Sequence, residues 1–203
     1  MASFQFPNQH FDYFLVLDFE ANGDHKIIKP MEIIEFPIVK VNAKTFEIES
    51  VFQQYVEPEV NEICEYCTKV TGISQDMVRG KPHLRKTLQL VDEWMNKEGL
   101  LKDGVKFIFV TCGDWDLKTQ LPRETTWFNI PLPQYFNQWI NIKTPFREVT
   151  GIRPHGMKSM LNDLHLILDG RHHSGLDDSK NISKILRRLA EKGFVYKATG
   201  WHD

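Results

Sequence analysis

The sequence predicts an α/β fold, a mixed central β-sheet flanked by α-helices. Two observations predict it. Strand-like runs separated by short turns fill the first part of the chain, and three strands joined so closely favour an antiparallel meander. From Leu84 onward the apolar period lengthens from two to ~3.6 residues, and a helix, a continuously apolar strand and further helices follow. That order adds parallel strands to an existing sheet. The 203 residues suit one domain, with its core over about residues 12–197. Such a length buries a core without disulfides or a structural metal.

The first strand is expected over Phe14–Glu20, from its apolar and aromatic content, with Asn22-Gly23-Asp24 ending it. Glu32–Val41 is the second. Pro37 lacks an N–H to donate to a ladder, which predicts an edge or a bulge there. After the turn Asn42-Ala43-Lys44, a third strand runs from Thr45 to about Val56. Leu84, Leu88, Val91 and Met95 then fall on one helix face, with Gly99 near the end. Val105–Thr111 is apolar throughout and fits a strand buried on both faces. Residues 121–155, rich in proline and aromatics, give no clear assignment. Helices are expected over Gly156–Leu166 and Asp178–Lys192, and a short final strand over Phe194–Tyr196.

Composition narrows the function classes. Lys plus Arg number 25 and Asp plus Glu 27, a net charge of −2, which argues against a histone-like, strongly basic nucleic-acid binder. Three cysteines cannot all pair, so a secreted disulfide scaffold is not expected. MASFQFPNQHFDY has neither a basic n-region nor an apolar h-region, so no signal peptide is expected. No apolar run approaches the ~20 residues of a membrane span. Cytoplasm or nucleus is the expected setting.

Three acidic groups stand out. Asp18 and Glu20 lie at i and i+2 on the expected first strand, so both side chains leave one face. Adjacent carboxylates repel unless a cation neutralises them, and hard oxygen ligands suit Mg²⁺ or Mn²⁺. The plainer reading is a charged pair on a solvent-facing strand. The second group, Asp114-Trp115-Asp116, follows the buried strand, where sheet proteins place ligand sites. Asp114 suits a helix N-cap; Asp116 lies beyond that position. The third is His172-His173-Ser174-Gly175-Leu176-Asp177-Asp178. The offsets from Asp178 reach Ile182, Ile185 and Leu189, the apolar face, so Asp178 points toward the sheet. Asp177 points toward solvent or the helix start, where an acidic charge is favourable. An inward carboxylate needs a partner, and a metal shared with Asp18 and Glu20 would provide it. His173, in a glycine-containing loop, can accept a proton near neutral pH. His172 is the weaker candidate for that role.

The order DFE, then WD after a strand, then H-x-x-x-x-D opening a helix resembles the DEDDh 3′→5′ exonucleases. The intervening text, including EIIEFPIV, CTKVTGI, FVTCGDWDLK, FNQWINIK and HHSGLDDSKNI, is similar to the Eri-type exoribonuclease subfamily, nearest its prion-protein-interacting branch. The resemblance runs from about Tyr13 to Lys197. It implies an RNase H-like fold and a metal-dependent 3′→5′ exoribonuclease acting on single-stranded RNA 3′ ends. It implies two divalent ions, Mg²⁺ or Mn²⁺, held by Asp18, Glu20, Asp116 and Asp178, with Glu20 and His173 in catalysis and His173 as the general base. Substrate contacts are implied for Glu20, Ala21, Tyr66, Trp115 and His173, the two aromatics against the terminal base.

Other readings compete. A degenerate nuclease that only binds would lack a metal ligand, and none is missing here. A DNA exonuclease would carry the same site. Lys180, Lys184 and Arg188 recur along the last helix, and Arg79, Lys81, Arg85 and Lys86 form a second basic group; solvated faces explain most such stripes. Cys64-x-x-Cys67 has no further ligands at zinc spacing, and both are expected on one helix face.

Overall fold

The computed structural model describes residues 5–23 and 29–202, so Asp24 of the expected turn lies outside the described residues. Among the described residues, seven strands form one sheet: β1 (Tyr13–Val16), β2 (Glu20–Asn22), β3 (Glu32–Asn42), β4 (Ile48–Tyr55), β5 (Phe107–Thr111), β6 (Gln138–Asn141) and β7 (Gly200–Trp201). Their order is β2-β3-β1-β5-β6-β7, with β4 also on β3. β3 pairs antiparallel with β1, β2 and β4, the expected meander. β5 runs parallel to β1 and β6 parallel to β5. The C-terminal ends of β1, β5 and β6 therefore open at one end of the sheet.

The first strand is not continuous. β1 stops at Val16 and β2 starts at Glu20, because the chain changes hydrogen-bond partners between them. Leu17 N still donates to Val110 O at 3.0 Å, but Phe19 N donates to the Asp116 side chain instead of a strand. β1 and β2 thus lie end to end along one edge of β3, while β4 takes the other. This accounts for Pro37, which is neither on an edge strand nor at a bulge. Ile34 O accepts from Val56 N on the β4 side, so alternation turns Pro37 toward the break between β1 and β2, where no ladder N–H is required.

The helices are α1 (Glu65–Thr71), α2 (Gln75–Val78), α3 (Leu84–Lys97), α4 (Leu121–Trp127), α5 (Lys143–Thr150), α6 (Met157–Asp163) and α7 (Gly175–Glu191). A π-helical turn, Trp115–Gln120, leads into α4. The unassigned stretch 121–155 therefore holds α4, β6 and α5. Period-two burial divides the sheet between two apolar layers. Phe14, Val16, Ile108 and Val110 pack toward α7 residues Ile182, Ile185, Leu186 and Leu189. Leu15, Leu17 and Phe109 pack toward α3 residues Leu84, Leu88, Val91 and Met95. Each fully buried side chain of this size contributes about 1.5–3 kcal/mol relative to exposure.

Phe194–Tyr196 is not a strand. Tyr196 N donates to the Gln9 side chain, and its buried hydroxyl donates to Leu186 O at 2.7 Å, so side-chain packing fixes this segment. The last strand is β7, beyond residue 197, paired with β6. No described helix is long and apolar enough to cross a membrane.

Candidate active site

Asp18 follows β1 and Glu20 begins β2, so the two do not share a strand face. They converge nonetheless, because the turn of chain between β1 and β2 aims both toward the start of α7. Carboxylate oxygens of Asp18, Glu20 and Asp178 lie within 4.8 Å of one another. Glu20, Asp116 and Asp178 are buried. Asp116, in the π-helical turn after β5, joins them through the 2.9 Å bond from Phe19 N to its Oδ1. Asp114 makes no side-chain cap; its oxygens receive Trp139 Nε1 and Asn141 Nδ2, bracing β6.

Burial and mutual repulsion dominate the electrostatics. Burial, then Asp116, Glu20 and Asp178, hold the Asp18 carboxyl well above the usual carboxylate range. Burial, then Glu35 and Asp178, push Glu20 up to about 8. Burial raises Asp116 to about 6 against the Phe19 amide and Lys143. Burial also raises Asp178, opposed by the His173 amide and His172. Carboxyls buried this close together, whose ionisation a cation would favour, fit a site for hard divalent metal ions.

α7 begins at Gly175, three residues before Asp178 rather than at it. Glu35 of β3 receives Gly175 N at 2.9 Å on one oxygen, and Gln53 Nε2 at 2.7 Å on the other. Glu35 thereby fixes the start of the helix that carries Asp178. The two histidines divide their contacts. His173 donates its backbone N–H to Asp178 Oδ2 at 2.8 Å, whereas His172 Nδ1 lies 3.0 Å from the same oxygen. His173 has φ 64°, and its exposed ring stacks on that of His172 with centroids 3.9 Å apart. Burial and the neighbouring His172 lower the His173 pKa, favouring the neutral ring that can accept a proton. Asp177 faces away from the cluster and receives Arg171 N at 2.9 Å.

A cavity of about 310 Å³ adjoins the acidic cluster, lined among others by Phe19, Glu20, Ala21, Tyr66, Cys67 and Trp115. Tyr66 is 61% exposed, leaving its ring open to a ligand. Cys64 is the N-cap of α1 and so lies just outside the helix, with its Sγ on the same side as that of Cys67, 3.0 Å away. The basic stripes are partly neutralised. Lys184 pairs with Asp169, Arg188 with Glu191 and Arg79 with Asp76.

Sequence reading missed Glu35, whose helix-anchoring partner Gly175 is 140 residues away, and did not single out Lys143, which opens α5 beside Asp116. EIIEF reads as an ordinary strand, and nothing in its spacing marks Glu35 as a helix anchor.

A curled mixed sheet with buried carboxylates at the C-terminal ends of its strands is the RNase H-like architecture of a metal-dependent nuclease. The sequence profile described as Exonuclease (RNase_T) matches residues 15–186, and the chain belongs to that family, in its Eri-type group. Divalent metal ions are the cofactors of these DEDDh enzymes. The human "ERI1 exoribonuclease 3" is 52% identical over 200 residues, covering 98% of this chain and 59% of that protein. The chain thus spans about three-fifths of the length of this curated relative. The solved nuclease domain of 3′hExo, a DEDDh family member bound to rAMP, superposes with TM-score 0.90 at 34% identity, covering 96% of this chain and all of that one. A structure titled for 3′-end specific recognition of histone mRNA stem-loop by 3′-exonuclease gives TM-score 0.90 at 33% identity, covering 97% of this chain and 70% of that one.

Proposed function

We propose that this protein is a 3′→5′ exoribonuclease that removes nucleoside 5′-monophosphates from single-stranded RNA. The observation that carries this reading is the convergence of Asp18, Glu20 and Asp178, with Asp116 bonded to the backbone between the first two, beside an aromatic-edged cavity. The RNA-directed names of the relatives support RNA over DNA.

Asp18, Glu20, Asp116 and Asp178 would hold two divalent ions, Mg²⁺ or Mn²⁺. When bound, such ions neutralise the scissile phosphate, lower the pKa of water and stabilise the leaving oxygen. His173 accepts the proton of the attacking water, and its neutral ring suits that task. Asp178 receives the His173 amide and so sets the start of the histidine's swing. Tyr66 and Trp115 hold the terminal base; stacking on such rings contributes about 1–3 kcal/mol per base and tolerates any sequence. Glu20 and Ala21 line the floor beside them and present backbone to the ribose. One observation favours a second reading of the base: ring nitrogens of both histidines lie within 4.8 Å of an Asp178 oxygen, but it is the His172 ring that comes to hydrogen-bond distance, 3.0 Å. The odd number of cysteines, three, supports a reducing compartment, cytoplasm or nucleus.

The test is hydrolysis of 5′-labelled single-stranded RNA and of the matching DNA, with Mg²⁺, Mn²⁺ or EDTA. Progressive shortening of RNA from the 3′ end, with 5′-monophosphate products and none in EDTA, is expected. DNA degraded faster than RNA would overturn the substrate assignment. Internal cleavage, or RNA turnover retained by Asp18→Ala, would overturn the mechanism.

A further inference from the structure

Resting on the exoribonuclease reading above, we propose that the cleft along α5 and the loop to α6 carries the phosphodiester backbone of RNA upstream of the terminal nucleotide. This cleft, about 560 Å³, is lined by Lys143, Thr144, Arg147, Glu148, Arg153 and Pro154. It is separate from the 310 Å³ cavity beside Tyr66 and Trp115.

Topology places it beside the acidic cluster. β6 runs parallel to β5, so its C-terminal end opens where Asp116 follows β5. Lys143 comes two residues after β6, and its Nζ lies 3.8 Å from where a β-carbon on Gly113 would stand. Its charge is felt at Asp116. The N-terminal end of this basic segment therefore borders the acidic site, and Arg147 and Arg153 line the cleft beyond it.

The charge is uncompensated. Residues 143–158 hold four Lys and Arg against the single acid Glu148. Lys143, Arg147, Arg153 and Lys158 form no ion pair among the described residues. Arg147, Arg153 and Lys158 are exposed. The stripe on α7 differs, since Lys184 and Arg188 are paired with Asp169 and Glu191. A polyanion approaching a cluster of carboxylates is repelled unless cations nearby guide it. The cleft supplies those cations through Arg147 and Arg153, which form no ion pair among the described residues, while Glu148 sets a limit on how closely a phosphate runs past that helix turn.

The experiment compares Arg147→Glu/Arg153→Glu with the parent protein, using fluorescence anisotropy of a 12-nucleotide single-stranded RNA in Ca²⁺ over a range of KCl. Each single-strand phosphate contact contributes about 0.7 to the slope of log K against log salt. The double reversal is expected to weaken binding at least tenfold and to flatten the slope by about 1.4. Lys102→Glu/Lys106→Glu, at the opposite end of β5, makes the same charge change as a control. Equal weakening by both pairs would reduce the effect to net charge and overturn the proposal. So would parental affinity and slope in the cleft variant. A parent that bound RNA by this cleft but never shortened it would sink the exoribonuclease reading and leave the cleft assignment standing. A parent that bound no RNA would end both.

Discussion

Gly175 lies against the carbonyl oxygen of Asp18, so closely that a β-carbon at position 175 would stand 2.5 Å from that oxygen. The same atom would be 3.1 Å from Pro37 and 3.2 Å from the Glu35 carboxylate. The segment after β1 and the strand β3 thus converge on one hydrogen-for-methyl decision at the start of α7. Gly175→Ala must move α7 away from β1, and overpacking of this kind costs about 1–3 kcal/mol. Asp178 moves with the helix, and a displacement of ~1 Å can cost a hundredfold in rate. A lowered Tm and a kcat at least tenfold lower are expected; unchanged melting and RNA hydrolysis would remove the constraint.

The acidic cluster predicts opposite effects of pH in the presence and absence of metal. The folded carboxyls of Asp18 and Glu20 are raised, Glu20 to about 8, chiefly by burial. The folded state therefore holds protons that the unfolded state has released. Their stabilising contribution is complete below about pH 4 and is lost as pH rises through the folded values. In EDTA, Tm should fall between pH 5 and 8, and Mg²⁺ or Mn²⁺ should restore it most at pH 8. Asp18→Asn should flatten the EDTA profile, lose most of the metal-dependent rise and abolish turnover. A metal-induced rise equal to that of the parent would count against Asp18 as a ligand.

The histidine pair gives a kinetic contrast. His173→Ala should lower kcat by about 10²–10⁴, the usual contribution of a general base, with little change in KM. His172→Ala should lower it less and weaken the positioning of Asp178, which His172 contacts at 3.0 Å. If His172→Ala proved the more damaging, the proton acceptor would be His172.

Glu124 provides a pH test outside the site. It is buried, receives Ile33 N at 2.8 Å and Gln120 Nε2 at 2.9 Å, and thereby holds α4 to the start of β3. Burial pushes its carboxyl up to about 8, against both of those hydrogen bonds. The raised value makes its contribution largest below about pH 4.5 and progressively lost up to pH 8. Glu124→Gln carries no such proton. Its Tm relative to the parent should therefore rise steadily from pH 5 to pH 8, by the equivalent of on the order of 2–4 kcal/mol. A difference independent of pH would show that Glu124 is charged throughout.

Much of this arrangement was legible from local sequence. Apolar and aromatic runs located the meander and β5, and the ~3.6-residue period located α3 and α7, because burial of one helix face imposes that period directly. The apolar offsets from Asp178 turned it inward, and Asp178 is 2% exposed. Residues 121–155 resisted because α4, β6 and α5 are short and hold only a turn or two of pattern each.

What the sequence determined by itself was the set of elements, their order, and the identity of the acids, since amphipathic period and residue chemistry are properties of a local stretch. What only the tertiary structure decided was how those acids meet. The Phe19 amide turned to Asp116 at the break between β1 and β2, the Glu35 anchor on Gly175 and the Lys143 cation beside Asp116 all join residues far apart in the chain. Such contacts leave no period or spacing in the sequence, because they are fixed by the packing of strands and helices and not by the residues next to them.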